Sequence, residues 1–166
     1  LIIVGGESSK QQYPGPTVNE SLEKISQENR LRKKSILCGG ICIPSRKKES
    51  KNLIRKSECG AEFFTTQVLC DSGNVIKMIK NYQERCDEVN TFPRRILLSF
   101  APVSSQKNID FLKWLGVEIP KDTERYLNGR PGSMTERSLD VAIEVLNEIL
   151  VFIANNNLKV PVGLNV

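Results

Sequence analysis

Five short apolar runs, separated by segments of helical periodicity, divide this chain of 166 residues into regular units. The runs are apolar at almost every position, whereas a strand with one solvated face alternates apolar and polar residues. Such strands are typical of a parallel sheet that helices cover on both faces, with right-handed connections. The predicted strands cover residues 1–5, 36–43, 62–69, 95–101 and 160–166.

The segments between the apolar runs have the residue spacing of amphipathic helices. In the longest, residues 133–155, apolar positions such as Leu139 and Ile143 recur every three or four residues, which makes a stripe that packs on a sheet. Thr17 and Glu20 have the spacing of a capping box, which predicts where the first helix begins. The predicted helices cover residues 17–29, 49–59, 74–89, 107–115, 120–127 and 133–155.

Two arrangements satisfy this alternation, an open doubly wound sheet and part of a (β/α)8 barrel. The sequence contains neither a G-x-G-x-x-G nor a G-x-x-x-x-G-K-[ST] phosphate loop. The pair Gly5 and Gly6 lacks a third glycine in register, so a dinucleotide-binding Rossmann turn is a poor match. The residues by themselves therefore predict an α/β fold and leave both arrangements open.

The charge balance is moderately basic, with 24 Lys and Arg against 19 Asp and Glu and a pI of 9.0. Small clusters at residues 30–34 and 46–51 indicate a solvated face, with a phosphate-bearing small ligand as the alternative. No aromatic residues interleave with these clusters, as a nucleic-acid stacking platform would require, so nucleic acid is not an expected partner. There is no apolar run of about 18 residues, so no membrane span is predicted, and no signal peptide is expected before the first strand.

The chain has five cysteines without C-x-x-C spacing and no histidine. This combination argues against a zinc site, and no metal is predicted. The lack of histidine also removes Ser-His-Asp and Cys-His catalysis. We interpret the cysteines as buried free thiols in a reducing compartment and therefore expect a cytoplasmic protein.

A single amide, Gln67, interrupts the aromatic and β-branched predicted strand 62–69. An amide in an apolar strand is costly to bury unless something hydrogen-bonds it. Ligands of parallel α/β folds bind at the C-terminal ends of the strands, where Gln67 lies. Gln67 is therefore a candidate ligand-binding residue, with a hydrogen bond to a neighbouring loop as the alternative. Gly60, before this strand, is expected to end a helix in a left-handed conformation.

A series of short motifs follows in order along the whole chain: GGESS with Tyr13 downstream, GGICIPSR, an N-x-x-R-K helix, GAEFFTTQ, FAPVSS, LGVEIP and GLNV. This series resembles the methylenetetrahydrofolate reductase family. The resemblance implies a (β/α)8 TIM barrel, of which this chain would supply about five strands, the fourth to the eighth. It also implies an FAD at the C-terminal ends of the strands. The implied reaction reduces 5,10-methylenetetrahydrofolate to 5-methyltetrahydrofolate with NAD(P)H.

Three site residues follow from this resemblance. Glu7 matches an acidic position at the end of the fourth strand, usually Asp in the family, and is implied to be catalytic and folate-binding, beside the flavin and the pterin. Tyr13 matches a tyrosine that contacts FAD. Gln67 matches the glutamine that recognises the pterin, whose mixed edge suits an amide because an amide both donates and accepts hydrogen bonds.

Four further residues match the FAD-binding helix of the family. Asn52, Arg55 and Lys56 lie on neighbouring turns, where two cations and an amide can neutralise a pyrophosphate. Glu49 matches an acid near the FAD ribose. Without the resemblance, these four residues would be interpreted as a solvated helix face.

The chain also departs from the family pattern. Gln106 stands where relatives have an aromatic residue that packs on folate or nicotinamide, and the loop 44–49 is shorter than in some relatives. The first three strands of the family, which carry its catalytic glutamate, have no counterpart, and five strands cannot close an eight-stranded barrel. We therefore expect residues 1–166 to be a single barrel domain of a protein whose N-terminal strands lie outside this chain.

Two other functions stay open at this point. One is a flavin-independent relative that transfers hydride directly from nicotinamide to folate, which the loops near Tyr13 and Pro44, both shorter than in some relatives, keep in consideration. The other is a non-catalytic folate- or flavin-binding module. The partner of such a module would be another one-carbon enzyme, whereas folate is the expected partner of both reductases. The choice between NADH and NADPH and the formation of a homo-oligomer are left open.

Overall fold

Strands and helices alternate as the apolar pattern predicts. The computed structural model describes residues 1–5, 14–33, 35–129 and 132–166. Within these ranges the strands are β1 (Ile2–Ile3), β2 (Gly39–Cys42), β3 (Phe63–Val68), β4 (Arg95–Ser99) and β5 (Val162–Asn165). The helices are α1 (Val18–Arg32), α2 (Glu49–Glu58), α3 (Gly73–Glu88), α4 (Gln106–Trp114), α5 (Lys121–Asn128) and α6 (Met134–Asn155).

The five strands of the described ranges form one sheet in the order β1-β2-β3-β4-β5, and all neighbouring pairs are parallel. A doubly wound sheet would contain a point where the strand order reverses. The order found here has no such point and is that of a barrel wall. Because all strands run the same way, their C-terminal ends lie at one edge of the sheet, where the site residues are expected.

The main core lies between the sheet and the helices that cover it. Phe64 of β3 meets Tyr82 of α3 edge to face, with ring centroids 6.2 Å apart, and both side chains are fully buried. Burial of a large apolar side chain contributes about 1.5–3 kcal/mol. The Tyr82 hydroxyl accepts the N–H of Arg94 at 3.0 Å, so its polar atom is paired as well.

A second, smaller apolar cluster packs α4 and α5 near the C-terminal ends of the strands. Ile109 and Leu127 are its most buried members, and Cys70 and Val117 also belong to it. This cluster holds the segment after α4 beside the end of β3. It therefore determines which backbone groups can reach Gln67.

The predicted termini of two helices are confirmed. The Thr17 N–H donates to the Glu20 carboxylate at 2.7 Å, and the Glu20 N–H donates to the Thr17 hydroxyl at 3.3 Å, which completes the capping box. The Thr17 N–H and the Thr17 hydroxyl both donate to the Glu20 carboxylate, and these two hydrogen bonds lower the pKa of Glu20. Gly60 follows the last turn of α2 with φ +110°, as expected of a glycine at this position.

All five strands are shorter than predicted, and β2 loses the most residues. β1 covers only Ile2–Ile3, and β2 begins at Gly39 rather than at residue 36. The backbone N–H and C=O of Ile36 both pair with the side-chain amide of Asn29, each at 3.0 Å. The chain before β2 therefore satisfies its hydrogen bonds with a helix side chain instead of a neighbouring strand. No helix of the described residues is long and apolar enough to cross a membrane.

Candidate functional site

Three polar side chains from neighbouring strands meet at the C-terminal edge of the sheet. The hydroxyls of Thr65 in β3 and Ser99 in β4 are 3.0 Å apart. The Asn165 amide in β5 donates to both, at 3.3 Å to Thr65 and 3.0 Å to Ser99. Thr65 and Ser99 are buried, so these hydrogen bonds offset the cost of placing hydroxyls in the interior.

This polar group was not predicted. Each of its members sits in an otherwise apolar strand, as Gln67 does, and that is the signal that would have found it. Strand pairing then determines which of these polar side chains meet, because Ser99 lies opposite Asn165 in the register of β4 and β5. A single strand read along the sequence does not reveal such a partner.

Gln67 lies two residues beyond Thr65, near the end of β3, and is half-buried. Its Nε2 donates to the backbone carbonyl of Leu115 at 3.3 Å, across the segment that follows α4. The loop contact that the sequence left as the alternative is therefore present. In the described part of the chain the Gln67 carbonyl oxygen has no hydrogen-bond partner, so an acceptor and a second N–H stay available to a ligand.

A small cavity of about 30 Å³ adjoins Gln67 between the ends of β2 and β3. Pro44, Ser45, Asn74 and Glu118 form part of its wall, where the Asn74 amide donates to the Glu118 carboxylate at 3.1 Å. This volume suffices for about one water molecule. A ring as large as a pterin therefore cannot enter this cavity and would have to approach Gln67 from outside it.

Glu49 is a buried carboxylate at the start of α2, with only 2% of its surface exposed. It accepts the Ile43 N–H at 3.2 Å and the Asn52 amide at 3.0 Å. The Lys56 ammonium lies 3.4 Å from it, and the Arg46 guanidinium 3.5 Å. Glu49 thus collects hydrogen bonds from the loop after β2 and from the next turns of its own helix.

Lys56 completes this buried network. Its Nζ donates to the backbone carbonyl of Ile41 in β2 at 2.5 Å, and its side chain is 12% exposed. Glu49 and Lys56 therefore hold α2 against the end of β2 and neutralise each other. The interpretation as a solvated helix face is wrong for these two residues, because the helix turns them toward the sheet.

The predicted FAD-binding helix is thus divided between two environments. Arg55 is exposed, and no ion pair involves its guanidinium in the described part of the chain. The Asn52 Nδ2 donates to Glu49, so the side-chain carbonyl oxygen of Asn52 is the atom that stays available to a ligand. Lys56 and Glu49 are already paired and do not have the arrangement of free ligands for a pyrophosphate and a ribose. Of the four residues, Arg55 alone presents a full charge to solvent, so it is the one whose position suits a cofactor phosphate.

Of the three remaining residues that the sequence singled out, the structure describes Gln106. Glu7 and Tyr13 lie outside the described residues, so their assigned roles stay predictions. Gln106, at the position of an aromatic residue in relatives, opens α4 and donates to Asp110 at 2.8 Å. It also accepts from Asn128 at 2.8 Å. The donor end of its amide therefore bonds within α4, and the acceptor end joins α4 to α5.

The five cysteines are free and buried. Burial raises the pKa of Cys59 to about 11, and a hydrogen bond from its thiol to Glu23 acts in the same direction. Burial also raises the pKa of Cys70 to about 11 and raises the pKa of Cys42. These thiols are protonated and poor nucleophiles at neutral pH. Among the described residues, no group of three or more His, Cys, Asp or Glu is placed to hold a metal ion.

Sixty-one chains of solved structures match this chain. One is an uncharacterized protein from Clostridium thermocellum that binds two copies of 5-methyl-5,6,7,8-tetrahydrofolic acid. The two proteins are 24% identical with a TM-score of 0.78, which shows a shared fold and confirms the predicted barrel class. The alignment covers 99% of this chain and 54% of that one, so this chain spans about half the length of the protein it matches.

No curated protein matches the chain. The family profile of methylenetetrahydrofolate reductase, however, matches residues 42–157, well over half of the sequence. The matched range runs from the end of β2 to the end of α6 and includes the Glu49–Lys56 network, Gln67 and Ser99. The parallel strand order and the polar strand ends agree with this match, and the chain belongs to the methylenetetrahydrofolate reductase family.

Proposed function

We propose that this chain binds a reduced folate at the C-terminal ends of its strands, with Gln67 hydrogen-bonding the pterin. The observation that carries the proposal is the half-buried Gln67 amide, which keeps an acceptor and a donor unused at the end of β3. A pterin edge alternates donors and acceptors, and one amide can pair with both. The family match and the 5-methyltetrahydrofolate bound by the structural neighbour support the same ligand class.

The reaction we propose is the reduction of 5,10-methylenetetrahydrofolate to 5-methyltetrahydrofolate with NAD(P)H, with FAD carrying the hydride between them. Residues 1–166 would form one incomplete barrel domain, since the chain spans about half of its structural neighbour. In this proposal Glu7 is the catalytic and folate-binding carboxylate, and Tyr13 contacts the flavin. Arg55 is the cofactor residue that the geometry favours most, because its charge is exposed and outside the Glu49 network.

Folate binding can be tested with Gln67→Glu. This change replaces the amide donor by a carboxylate. We expect the affinity for 5-methyltetrahydrofolate to fall about ten- to a hundredfold, because the loss of one such hydrogen bond in a binding site costs about 1.5–3 kcal/mol. Gln27→Glu on α1 is the matched control, because it adds the same charge at an exposed position. Calorimetric titration of the wild type and both variants gives the three dissociation constants.

Two results would contradict this part of the proposal. Equal affinities of Gln67→Glu and Gln27→Glu would remove Gln67 from the binding site. A wild-type protein that fails to bind the folate at all would overturn the proposed function itself.

A flavin-independent reductase is the second candidate, and the ion pair of Glu49 with Lys56 favours it. A dinucleotide phosphate would have to compete with a buried carboxylate for Lys56. If FAD is nevertheless the cofactor, Arg55→Ala should weaken it about ten- to a hundredfold. The free energy of unfolding should hardly change, since an exposed cation contributes little to folding. The visible absorbance of the purified protein and a flavin titration of Arg55→Ala decide between the two candidates.

A third candidate is a folate-binding module without catalysis, which the neighbour's binding of two folate molecules keeps in consideration. A reductase oxidises NAD(P)H when methylenetetrahydrofolate is supplied, whereas a module binds folate without consuming the nicotinamide. Measuring NAD(P)H oxidation in the protein that has been shown to bind folate therefore separates the module from both reductases.

A further inference from the structure

The loop between α3 and β4 holds an aromatic side chain in solvent. Phe92, in this loop, is 85% exposed. The backbone on both sides of it is fixed, because the Thr91 N–H donates to a carbonyl in the last turns of α3 at 2.9 Å and the Arg94 N–H donates to the Tyr82 hydroxyl at 3.0 Å. Pro93, the next residue, is buried. The loop therefore holds the Phe92 ring outward, away from the core.

A free edge of the sheet does not account for this exposure. β4 lies between β3 and β5 in the sheet, and α3 packs against α2 and against α6. Both neighbouring units of the loop are therefore present among the described residues, and neither covers Phe92. The ring is thus exposed by the structure of this loop.

Further exposed apolar side chains lie at the same edge of the sheet, where the strands begin. In the strand register Gly39 lies opposite Phe63, and Phe63 lies opposite Arg95. Three residues before these partners, Ile36 and Phe92 are at one level, two strand spacings or roughly 10 Å apart. The other exposed apolar residues of this edge include Leu31, Leu37 and Val89. Such a group is more than the scattered single residues that need no explanation. We call this surface, formed by residues 30–33, 35–37, 58–62, 87–95 and 155–159, the N-terminal face.

The N-terminal face carries an excess of positive charge. In the described part of the chain, its cations without an ion pair are Arg30, Lys33, Arg94, Arg95 and Lys159. Its acids without an ion pair, counted over the same residues, are Glu58, Glu62 and Asp87. Arg32 and Glu88 each have a partner of opposite charge. The face therefore has more free cations than free acids.

The helix ends account for only part of this charge. The cations of α1 lie at its C-terminal end, where a positive charge stabilises the helix dipole. Arg94 and Lys159 lie beyond the last turns of α3 and α6, so no helix dipole explains them. Extending the register in which Ile96 lies opposite Val162 places Lys159 one strand spacing from the residue after Phe92. Arg94 and Lys159 are therefore exposed cations on either side of the Phe92 loop.

These features favour a lipid surface over a protein partner. A second copy of this chain would bring the same cations against each other, which disfavours contact through this face. A bound peptide lies in a groove, whereas Phe92 projects from a loop and Leu31 from a helix end. Projecting apolar side chains can enter the headgroup layer of a membrane, and cations beside them attract anionic lipids. The N-terminal face presents both.

We propose that the N-terminal face binds the surface of a membrane that contains anionic lipids. Phe92 enters the headgroup layer, and Arg94 and Lys159 pair with headgroup phosphates. The arrangement needs no helix across the bilayer, so the association is peripheral and reversible. The strands run from this face toward Gln67, so the proposed folate site opens away from the membrane. The proposal does not depend on which ligand that site binds.

Sedimentation with vesicles tests this proposal. Vesicles of phosphatidylcholine alone are compared with vesicles that also contain phosphatidylglycerol. We expect the wild-type protein to sediment with the second kind only, and the bound fraction to fall as salt is added. Phe92→Ser should lower the partition constant about tenfold, because it removes an apolar ring from the headgroup layer. Arg94→Gln/Lys159→Gln should lower it about twentyfold, since each cation near an anionic surface contributes about fivefold.

Matched variants at the opposite edge of the sheet separate this face from a general effect of charge and apolar surface. Phe111→Ser changes an exposed phenylalanine of α4. Lys107→Gln/Lys121→Gln removes two exposed lysines, one from α4 and one from α5. These variants should keep the wild-type partition constant.

Several results would overturn the proposal. Sedimentation of the wild type with neither kind of vesicle, or equally with both, would exclude an anionic lipid surface as the partner. A Phe92→Ser protein that binds as well as Phe111→Ser, or equal losses in the two double variants, would show that the N-terminal face makes no specific contact. A wild-type dimer in lipid-free solution that Phe92→Ser dissociates would make this face a contact between copies of the chain, and the proposal would be wrong.

Discussion

Glu49 ties α2 to the end of β2 through charge as well as hydrogen bonds. It is the one buried acid among the described residues, and its closest cation, Lys56, also bonds the Ile41 carbonyl. Removing two charges from water costs several kcal/mol per ion, and only good pairing offsets that cost. The pair is therefore sensitive to loss of either member, whatever its role toward a cofactor.

We predict that Glu49→Gln lowers the free energy of unfolding by about 3 kcal/mol, because it leaves the Lys56 ammonium buried without a counter-charge. Glu28→Gln is the matched control. Its partner Arg32 lies 2.5 Å away, but both side chains are at least half exposed, so the loss should stay below about 1 kcal/mol. Urea unfolding of the two variants measures both values. A Glu49→Gln protein as stable as the control would indicate that the two groups are solvated.

The ion pair of Glu49 and Lys56 can also be tested by replacing Lys56. Lys56→Met should destabilise the protein as well, because the buried Glu49 carboxylate would lose its closest counter-charge. The double variant Glu49→Gln/Lys56→Met should cost less than the sum of the single changes, since the two residues interact directly. Additive losses would show that each residue acts through separate contacts.

At the scale of elements, four helices in the described part of the chain end in the same local structure. After α2, the N–H of Gly60 bonds the Ser57 carbonyl at 3.0 Å, and the next N–H bonds Lys56 at 2.9 Å. The ends of α3, α4 and α6 repeat this Schellman pattern with Asn90, Gly116 and Asn157 at the left-handed position. Each such end turns the chain sharply toward the next strand or helix, which keeps the connections short.

Two of these positions differ in what surrounds them. A Cβ at Gly60 would lie 2.9 Å from the Cβ of Ser26 on α1, whereas a Cβ at Gly116 would meet nothing within 4 Å. Both residues have positive φ, +110° and +81°. Gly60 therefore serves both the backbone turn and the close packing of α1 on α2, while Gly116 serves the turn alone.

We predict that Gly60→Ala is more destabilising than Gly116→Ala. The left-handed backbone alone should cost about 1–2 kcal/mol at Gly116. Gly60→Ala adds the contact with Ser26, for a total of about 2–4 kcal/mol, because overpacking typically costs about 1–3 kcal/mol. Thermal or urea unfolding of the two variants checks the order. A reversed order would mean that α1 moves away from α2 at little cost.

At the scale of the whole molecule, the buried thiols couple stability to alkaline pH. Burial raises the pKa of Cys59 and Cys70 from 9.0 to about 11 in the folded protein. The unfolded chain then loses these protons at lower pH than the folded chain does. The contribution of these two thiols to the free energy of unfolding is fully present below pH 9. It is lost as the pH rises through the pKa of the folded protein, near 11.

We predict that the free energy of unfolding falls between pH 9 and 11 by about 1.4 kcal/mol per pH unit for each of these thiols. Unfolding curves of the wild type and of Cys59→Ala/Cys70→Ala across this range separate the effect of the two thiols from that of other groups that titrate at alkaline pH. The variant should show the shallower slope. Parallel slopes would mean that the two thiols titrate alike in the folded and unfolded chains.

The sequence alone determined the element order, the parallel sheet and the end of α2 at Gly60. These features follow from local physics, because continuous apolar runs predict strands buried on both faces and a capping box predicts where a helix begins. The ordered motifs, with Gln67 among them, also pointed to the family that the match over residues 42–157 then established. The strand ends were less predictable, since Asn29 replaces a strand partner at Ile36.

Only the tertiary structure decided what the site residues contact. The spacing of Glu49 and Lys56 is equally compatible with a solvated face and with a buried pair, and the rotation of α2 against β2 selects the pair. The hydrogen bonds of Thr65, Ser99 and Asn165 join residues up to 100 positions apart, which local pattern does not encode. The cavity of about 610 Å³ between residues 44–50 and α3 likewise exists because a loop and a helix from different units pack side by side, and no segment of the sequence contains both of its walls.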